Sequence, residues 1–218
     1  MSVAFHPIAP LLATGSEDSI VKLWILSSDN SSARCVATLD ENNGYSGCVH
    51  SVAFHPTAPI LASCYSSDKM NLWRISSDRS SVICVATLED VCGQLMCHSV
   101  HSVAFHPNAL ILATGCDGGT ARMWLLSPDY SSVTCVATLV HGGWSESVNS
   151  VAFHSTAPIL ATGSSGKSVK LWRLSSDNSS AICVATLEGH SNHVNSVAFH
   201  PTASILATGS SDQTVKLW

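Results

Sequence analysis

One phrase recurs five times along this chain, and the repetition constrains the fold more than any other feature. Each copy reads approximately SVAFHP, ILATGS and VKLW, and the closing tryptophans are Trp24, Trp73, Trp124, Trp172 and Trp218. Subtraction gives 49, 51, 48 and 46 residues between successive tryptophans. A nearly constant period of roughly 20–50 residues indicates repeated structural units that bury their apolar faces against one another.

Each repeat contains four short segments that favour β-strands. In the fourth copy these are residues 149–153, 159–162, 169–172 and 181–187, and the residues between them are rich in Ser, Gly, Asp and Asn. Such residues are typical of turns, and strands joined by short turns form an antiparallel meander. No segment has the apolar spacing and start cap of a helix. The sequence therefore predicts an all-β chain of four-stranded antiparallel units, and a radial arrangement of such units is a β-propeller.

The repeats resemble those of the WD-repeat β-propeller family over essentially the whole chain. The resemblance rests on the Gly189-His190 dipeptide, the strand VNSVAF, the turn LATGSSDQT and the terminal VKLW. It implies a hydrogen-bonded set of His, Ser or Thr, Asp and Trp in each blade, and buried imidazole and indole nitrogens do need such partners. In the last copy the set would be His190, Thr208, Asp212 and Trp218. In the first copy, Asp18 and Trp24 stand in register.

The middle copies depart from this pattern. At the position of His190 they have Tyr45, Met96 and Trp144, and at the position of Asp212 they have Ser67, Gly118 and Gly166. Asp68 and Asp117 are each displaced from that position by one residue. We therefore expect blades two to four to be held mainly by apolar packing and strand hydrogen bonds.

The copies predict one propeller region over residues 1–218, with four full blades and a fifth blade of three strands. The blades are expected at residues 2–39, 50–88, 101–139 and 149–187, with the partial blade at 195–218. The family resemblance implies rings of mostly seven blades, each taking about 51° of arc, whereas five blades would need about 72°. We therefore expect an open arc or a strained five-blade ring. An unpaired edge at residues 215–218 would favour self-association.

The resemblance also implies that the loops before the first strand and between the second and third strands share one rim. These loops vary most between the copies, and variable loops on a rigid scaffold are where binding specificity is usually found. Neutral drift after duplication explains the same variation equally well. The candidate partner-binding residues of this rim are Tyr45, His50, Asp117, Trp144, Asn149 and Asn195.

The function predicted from this pattern is a protein-interaction scaffold or adaptor that presents rigid rim loops to protein or peptide partners. Two alternatives stay open: a sensor fragment of a larger multidomain signalling protein, and a five-blade ring that binds small ligands such as glycans. A glycan-binding ring would need a similar polar and aromatic pocket in every blade, whereas the variable loops have an aromatic residue only at Tyr45 and Trp144.

We predict no catalytic activity and no cofactor. Most acidic residues recur at equivalent positions, so no pair of carboxylates stands out as a catalytic pair, and no phosphate-binding loop is present. One loop places four potential zinc ligands within ten residues: Cys92, Cys97, His98 and His101. Structural zinc sites usually contain a C-x2-C pair, which is missing here, and His101 aligns with His50, so this is only a weak candidate.

Composition limits the partners further. The net charge is −5 with scattered Lys and Arg, which argues against nucleic-acid binding, and no apolar run reaches the roughly 20 residues of a membrane span. Residue 2 already belongs to the first repeat, so we expect no leader peptide and a cytoplasmic protein. Four of the nine cysteines occupy one equivalent position, on different blades, so we predict apolar strand residues rather than disulfides.

Overall fold

The protein forms five antiparallel β-sheets. The computed structural model describes residues 1–29, 31–40, 47–89, 91–92 and 99–218, and these residues contain strands and turns but no helix. Blade 1 consists of β1 (Ser2–Phe5), β2 (Leu11–Gly15), β3 (Val21–Leu26) and β4 (Ala33–Leu39). Blade 2 consists of β5 (Val49–Phe54), β6 (Ile60–Tyr65), β7 (Met70–Ile75) and β8 (Val82–Leu88).

The remaining strands repeat the same order. Blade 3 consists of β9 (Val100–Phe105), β10 (Ile111–Cys116), β11 (Thr120–Leu126) and β12 (Val133–Val140). Blade 4 consists of β13 (Val148–Phe153), β14 (Ile159–Ser164), β15 (Val169–Leu174) and β16 (Ala181–Leu187). Blade 5 consists of β17 (Val194–Phe199), β18 (Leu206–Ser210) and β19 (Val215–Leu217).

Within every blade the strands pair in sequence order, so each sheet is a meander without crossovers. All pairings are antiparallel, and a bulge lies immediately before the tryptophan of the third strand in each four-stranded blade. The predicted fold is therefore confirmed: an all-β propeller with four full blades and a three-stranded fifth.

The two faces of each blade are chemically different. We call one the Val-Phe face, after its first-strand residues, and the other the Ile-Leu face, after its second- and third-strand residues. The Val-Phe face of each blade packs on the Ile-Leu face of the blade before it. Between blades 3 and 4, for example, Val151 and Trp172 of blade 4 bury Ile111 and Met123 of blade 3. Because strand side chains alternate between faces, a single repeat supplies both halves of this contact.

The histidine that follows each first strand has a role in this packing. Its ring meets the phenylalanine of the next blade edge to face, at centroid distances of 5.0–5.1 Å in His6–Phe54, His55–Phe105, His106–Phe153 and His154–Phe199. Its Nδ1 accepts backbone N–H groups of the following turn, such as those of Thr57 and Ala58 at His55. The histidine thus fixes a turn and caps a blade contact at once.

A serine hydroxyl also joins each pair of blades. The hydroxyl of the first-strand serine accepts the N–H of a valine in the next blade, at 3.1–3.3 Å. The four pairs are Ser2 with Val52, Ser51 with Val103, Ser102 with Val151, and Ser150 with Val197. Buried N–H groups at the inner ends of the sheets are satisfied in this way.

The first and last blades leave one face each uncovered. Val3 and Phe5 of blade 1 are 62% and 66% exposed, whereas their counterparts Val52 and Phe54 are 5% and 8% exposed. Val215 and Leu217, on the Ile-Leu face of blade 5, are 71% and 70% exposed. The terminal blades therefore do not bury one another. Of the two arrangements expected from the sequence, the structure is the open arc.

The linkers between the third and fourth strands owe their uniformity to a repeated serine and aspartate turn. In blade 4, Asp177 accepts the Ser175 hydroxyl at 2.6 Å and both the N–H and the hydroxyl of Ser179, at 3.1 and 2.8 Å. Hydrogen bonds led by that of the first serine lower the pKa of this carboxyl from 3.8 to about 2. The same pKa of about 2 holds at Asp29, Asp78 and Asp129.

The four equivalent cysteines lie in the outer strands and form no disulfide among the residues that the structure describes. Their side chains are exposed, so they are strand residues of the open edge rather than of the core. The strand position is the outermost of each blade, where no further sheet covers it. No helix in the described residues is suited to crossing a membrane.

Candidate partner-binding rim

The described parts of the variable loops lie at one end of the blades. Backbone hydrogen bonds of 2.9–3.2 Å join the turn after each second strand to the segment before the first strand of the same blade. The pairs are Ser66 with Cys48, Asp117 with Ser99, Ser165 with Ser147, and Ser211 with His193. These short turns therefore lie at the same end of the blades as the described ends of the inter-blade loops, and we call this end the rim.

In blade 5, a chain of hydrogen bonds runs from the sheet to this rim. The Trp218 indole N–H donates to Thr208 Oγ1 at 3.0 Å, and Thr208 Oγ1 lies 2.8 Å from His190 Nε2. His190 Nδ1 lies 2.7 Å from Asp212 Oδ2. Because a carboxylate only accepts, Nδ1–H donates to Asp212, and Nε2 accepts the threonine O–H. The hydrogen bond from Thr214, together with that from His190, outweighs burial and holds the pKa of Asp212 well below its usual range.

Blade 4 contains the same chain with a histidine that the sequence comparison missed. His141 Nδ1 lies 2.6 Å from Thr162 Oγ1, which accepts the Trp172 indole N–H at 2.9 Å, and His141 Nε2 lies 3.1 Å from Ser168 Oγ. Counting back from the phenylalanine placed Trp144 at this position, because the loop length differs from that of the last copy. Counting forward does not find it either, because His190 lies three residues after Leu187 whereas His141 lies two residues after the equivalent Leu139.

Burial, rather than a charged partner, determines the protonation of this histidine. Gly166 stands where blade 5 has its aspartate, so His141 meets only the hydroxyl of Ser168. Burial, with a smaller contribution from Lys170, lowers the pKa of His141 from 6.5 to about 4. His141 is therefore neutral at pH 7.

All five blades share the hydrogen bond that the tryptophan indole N–H donates. Each third-strand tryptophan donates to the hydroxyl of a second-strand Ser or Thr at 2.8–3.0 Å: Trp24 to Thr14, Trp73 to Ser63, Trp124 to Thr114, Trp172 to Thr162 and Trp218 to Thr208. Asp18 binds within its own turn, where it accepts the Ser16 hydroxyl and the Ile20 N–H. Asp68 accepts the Cys92 N–H at 2.6 Å.

Three blades contribute to a polar cluster around Asp117. His101 Nε2 donates to Asp117 Oδ1 at 2.6 Å, and the Ser147 hydroxyl donates to the same oxygen at 2.7 Å. The His50 ring stacks on that of His101 with centroids 5.2 Å apart and planes 8° apart, and its Nδ1–H donates to Val100 O at 3.2 Å. Asp117 thus ties the turn of blade 3 to the start of blade 4.

The electrostatics of this cluster favour an ionised carboxylate and a neutral His50. Burial alone would raise the pKa of Asp117, but hydrogen bonds from His101 and Ser147 outweigh it and leave the pKa below its ordinary value. Burial, followed by the proximity of His101, lowers the pKa of His50. The rim therefore presents a fixed negative group that the adjacent imidazole and hydroxyl orient.

The loop between β12 and β13 is anchored to the same turn and carries Trp144. Gly119 N–H donates to Glu146 O at 2.7 Å, and Gly119 O accepts the N–H of His141 at 2.8 Å. Gly119 has φ +63°, and a Cβ there would lie 2.7–2.8 Å from backbone atoms of Gly142 and Gly143. Only glycine permits this close approach. The anchored loop leaves the Trp144 side chain 77% exposed.

The two asparagines of the predicted rim bind neighbouring groups of the propeller. Asn149 Nδ2 donates to Val194 O at 2.9 Å, in the next blade, and Asn195 Nδ2 donates to Ser211 Oγ at 2.8 Å. His50 and Asn149 therefore both join adjacent first strands. The rim cluster consists of Asp117, His101, Ser147 and His50. Trp144 lies on the loop that leads to Ser147, whereas Asn195 lies apart from the cluster in blade 5. Tyr45 is outside the described residues.

Comparison with known proteins identifies the repeat. The sequence matches the profile of the WD domain, G-beta repeat, at residues 1–24, 33–74, 84–124, 130–173 and 181–218. The chain belongs to the WD-repeat family. No curated protein matches it significantly.

Solved structures of other proteins share the fold. Sqt1 from Chaetomium thermophilum bound to the N-terminus of the ribosomal protein L10 superposes with a TM-score of 0.78 and 22% identity, covering 99% of this chain and 58% of that one. A second structure of Sqt1 from the same organism gives a TM-score of 0.78 and 21% identity, with 99% and 55% covered. The chain thus spans a little over half the length of these proteins, and the likeness concerns the fold.

The weak metal candidate of this WD-repeat chain lies only partly within the described residues, since Cys97 and His98 fall outside them. Cys92 is buried, and its thiol contacts Ser99 O at 3.3 Å, while His101 binds Asp117. The hydrogen bond with the neighbouring thiol of Cys116, followed by burial, raises the pKa of Cys92. Within the described part of the chain, no three His, Cys, Asp or Glu side chains gather as a metal site.

Proposed function

We propose that this WD-repeat chain is a protein-interaction scaffold that binds a protein or peptide segment on the rim around Trp144 and Asp117. The observation that carries the proposal is an exposed tryptophan on a loop that is anchored at both ends and whose Ser147 binds an oriented carboxylate. Aromatic side chains with nearby polar anchors dominate the binding energy of many protein interfaces. The role consists of binding without chemistry, as a scaffold or adaptor in the cytoplasm.

Preorganisation supports this choice of surface. The loop is held by hydrogen bonds of Gly119, of Ser147 with Ser165 Oγ at 2.8 Å, and of Glu146 N–H with Gly143 O at 3.0 Å. A loop that is ordered before binding loses less entropy when the partner arrives. The exposed indole then supplies apolar contact area, and the Asp117 carboxylate orients the bound segment through hydrogen bonds. Sqt1, which shares the fold, was crystallised bound to the N-terminus of a ribosomal protein, so a peptide segment is a reasonable class of ligand.

A pulldown with matched variants tests the proposal. Trp144→Ala removes the exposed ring, and Asp117→Asn removes the charge while keeping the shape. Each should reduce the recovery of specific protein partners at least tenfold, because truncation of a central interface anchor typically costs about 2 kcal/mol or more. Asp129→Asn, on the opposite end of the blades, serves as the control and should recover partners as the wild type does.

Two results would contradict the proposal. Partners recovered equally well by Trp144→Ala and Asp117→Asn would bind another surface. A glycan array that shows sugar binding, with no protein partner recovered, would favour the small-ligand ring instead. Circular dichroism of each variant separates loss of binding from loss of fold.

A further inference from the structure

The four internal blade interfaces define one repeated contact with three components. The Val-Phe face covers the Ile-Leu face, a histidine ring meets a phenylalanine edge to face, and a serine hydroxyl accepts a valine N–H. Between blades 3 and 4 these components are Trp172 on Met123, His106 on Phe153, and Ser102 with Val151. Each component runs in the same direction, from one blade to the next along the chain.

Both halves of this contact stand unpaired at the two ends of the arc. Blade 1 presents Val3 and Phe5, which the other blades bury, and blade 5 presents Val215 and Leu217. The Phe5 ring and the His200 ring have no aromatic neighbour among the described residues, unlike every internal pair. In the same described part, no bond links Ser196 Oγ or Val3 N–H to an adjacent blade.

We propose that copies of this chain associate head to tail, with the Ile-Leu face of blade 5 in one copy covering the Val-Phe face of blade 1 in the next. In that contact, Val3 and Phe5 of one copy would cover Val215 and Leu217 of the other. The His200 ring would meet Phe5, and Ser196 Oγ would accept the Val3 N–H. The new interface would then repeat the internal ones component by component.

A second copy is the occupant that these observations favour. The chain itself carries both halves of the contact, in the orientation that is already buried four times within it. To match blade 5, a different partner would need a sheet face with the same Val and Phe. Its Phe ring and Val N–H would also have to lie where the histidine and serine of blade 5 can reach them. A contact between two different faces is heterologous, so it leaves one face of each kind open and allows growth beyond a dimer.

Light scattering and sedimentation over a hundredfold range of concentration test the association. The weight-average mass of the wild type should rise with concentration beyond that of a dimer. Phe5→Glu and Leu217→Glu each place a charge on one exposed face, and each should weaken the association at least tenfold. Ile182→Glu, which puts the same charge on an exposed apolar position of the outer strand β16, is the control and should associate as the wild type does.

Mixing the two face variants gives the sharpest test. Phe5→Glu keeps an intact blade 5 face, and Leu217→Glu keeps an intact blade 1 face. Each variant alone should therefore be monomeric, whereas their equimolar mixture should form a 1:1 dimer that grows no further. Both changes fall on exposed side chains, so circular dichroism and tryptophan fluorescence of the monomers should match those of the wild type.

Several outcomes would overturn the proposal. A wild type that stays monomeric over the whole range would show that the faces are closed within the chain or unused. A mixture that remains monomeric would exclude head-to-tail pairing. Association of both face variants as strong as that of the wild type would identify another surface, such as the unpaired edge of β19.

Discussion

Blades 4 and 5 have almost the same sequence and very different surroundings. Residues 150–172 and 196–218 are identical except at the pairs Ser155/Pro201, Pro158/Ser204, Gly166/Asp212, Lys167/Gln213 and Ser168/Thr214. Val169 is fully buried by blade 5, whereas Val215, its equivalent, is 71% exposed because no sheet among the described residues packs on it. The comparison shows that a repeat sequence specifies the sheet, while the neighbouring blade decides whether its side chains become core.

The two blades also differ in how their histidine is satisfied. His190 donates to the carboxylate of Asp212, whereas His141 reaches only the hydroxyl of Ser168. The network that includes an aspartate thus belongs to blade 5, the blade whose Ile-Leu face is exposed. Blade 4 is packed on both faces, and its network lacks the aspartate.

The largest expected difference between the two blades comes from a charge on the Ile-Leu face. Val169→Asp would bury an unpaired carboxylate between blades 4 and 5 and should lower the free energy of unfolding by about 4 kcal/mol or more. Val215→Asp places the same group in solvent and should change it by less than about 0.5 kcal/mol. Urea denaturation followed by circular dichroism at low protein concentration measures both. Equal losses for the two variants would show that a neighbour covers blade 5 as well.

The next effect is a pH dependence that arises in blade 4. The pKa of His141 is lowered to about 4, so between pH 6.5 and 4 the unfolded chain binds a proton that the folded chain does not. The stability contribution of the neutral imidazole is therefore complete above pH 6.5 and is lost as the pH falls toward 4. The loss should amount to about 3 kcal/mol at full effect.

His141→Gln isolates this contribution. Its amide keeps hydrogen-bonding capacity but does not titrate, so the difference in unfolding free energy between pH 7 and pH 4 should shrink relative to the wild type. Because other histidines also titrate in this range, the quantity to compare is the wild-type slope minus the variant slope. Equal pH slopes for the wild type and the variant would show that His141 is solvated in the folded protein and does not belong to the network.

The sequence predicted the sheets well and the contacts between them less well. Strand-forming segments such as 159–162 and turns such as that at Asp177 are local, so their patterns suffice. The role of His106 could not be predicted, because its partner Phe153 lies on the next blade and only packing brings them together. His141 was missed for a related reason: loop length changes the count along the chain but not the place of the ring in space.

The rim shows the same limit. Variable loops indicated where a site would lie, and Asp117 and Trp144 were named from that variation alone. His101 entered only as a weak metal ligand, although the structure places it on Asp117. Neither the stacking on His50 nor the hydrogen bond from Ser147 follows from spacing, since each joins residues of different blades.

The smallest expected difference concerns a glycine of the second strand. A Cβ at Gly163 would lie 2.8 Å from methyl carbons of Val194 and Val197, whereas at Gly209 the contact within 4 Å is Ser196 Oγ at 3.0 Å. Gly163→Ala forces one blade away from the next and should cost about 2 kcal/mol, as overpacking in cores does. Gly209→Ala needs only a serine side chain to rotate, and alanine favours a strand interior more than glycine does, so its effect should be close to zero. Thermal unfolding of the two single variants at low concentration measures the difference.

At concentrations where copies associate, Gly209→Ala should weaken the head-to-tail contact, because its methyl group lies where Gly163 admits the valines of the next blade. A Gly209→Ala variant that associates normally while Gly163→Ala is destabilised would show that the contact between copies does not repeat the internal one.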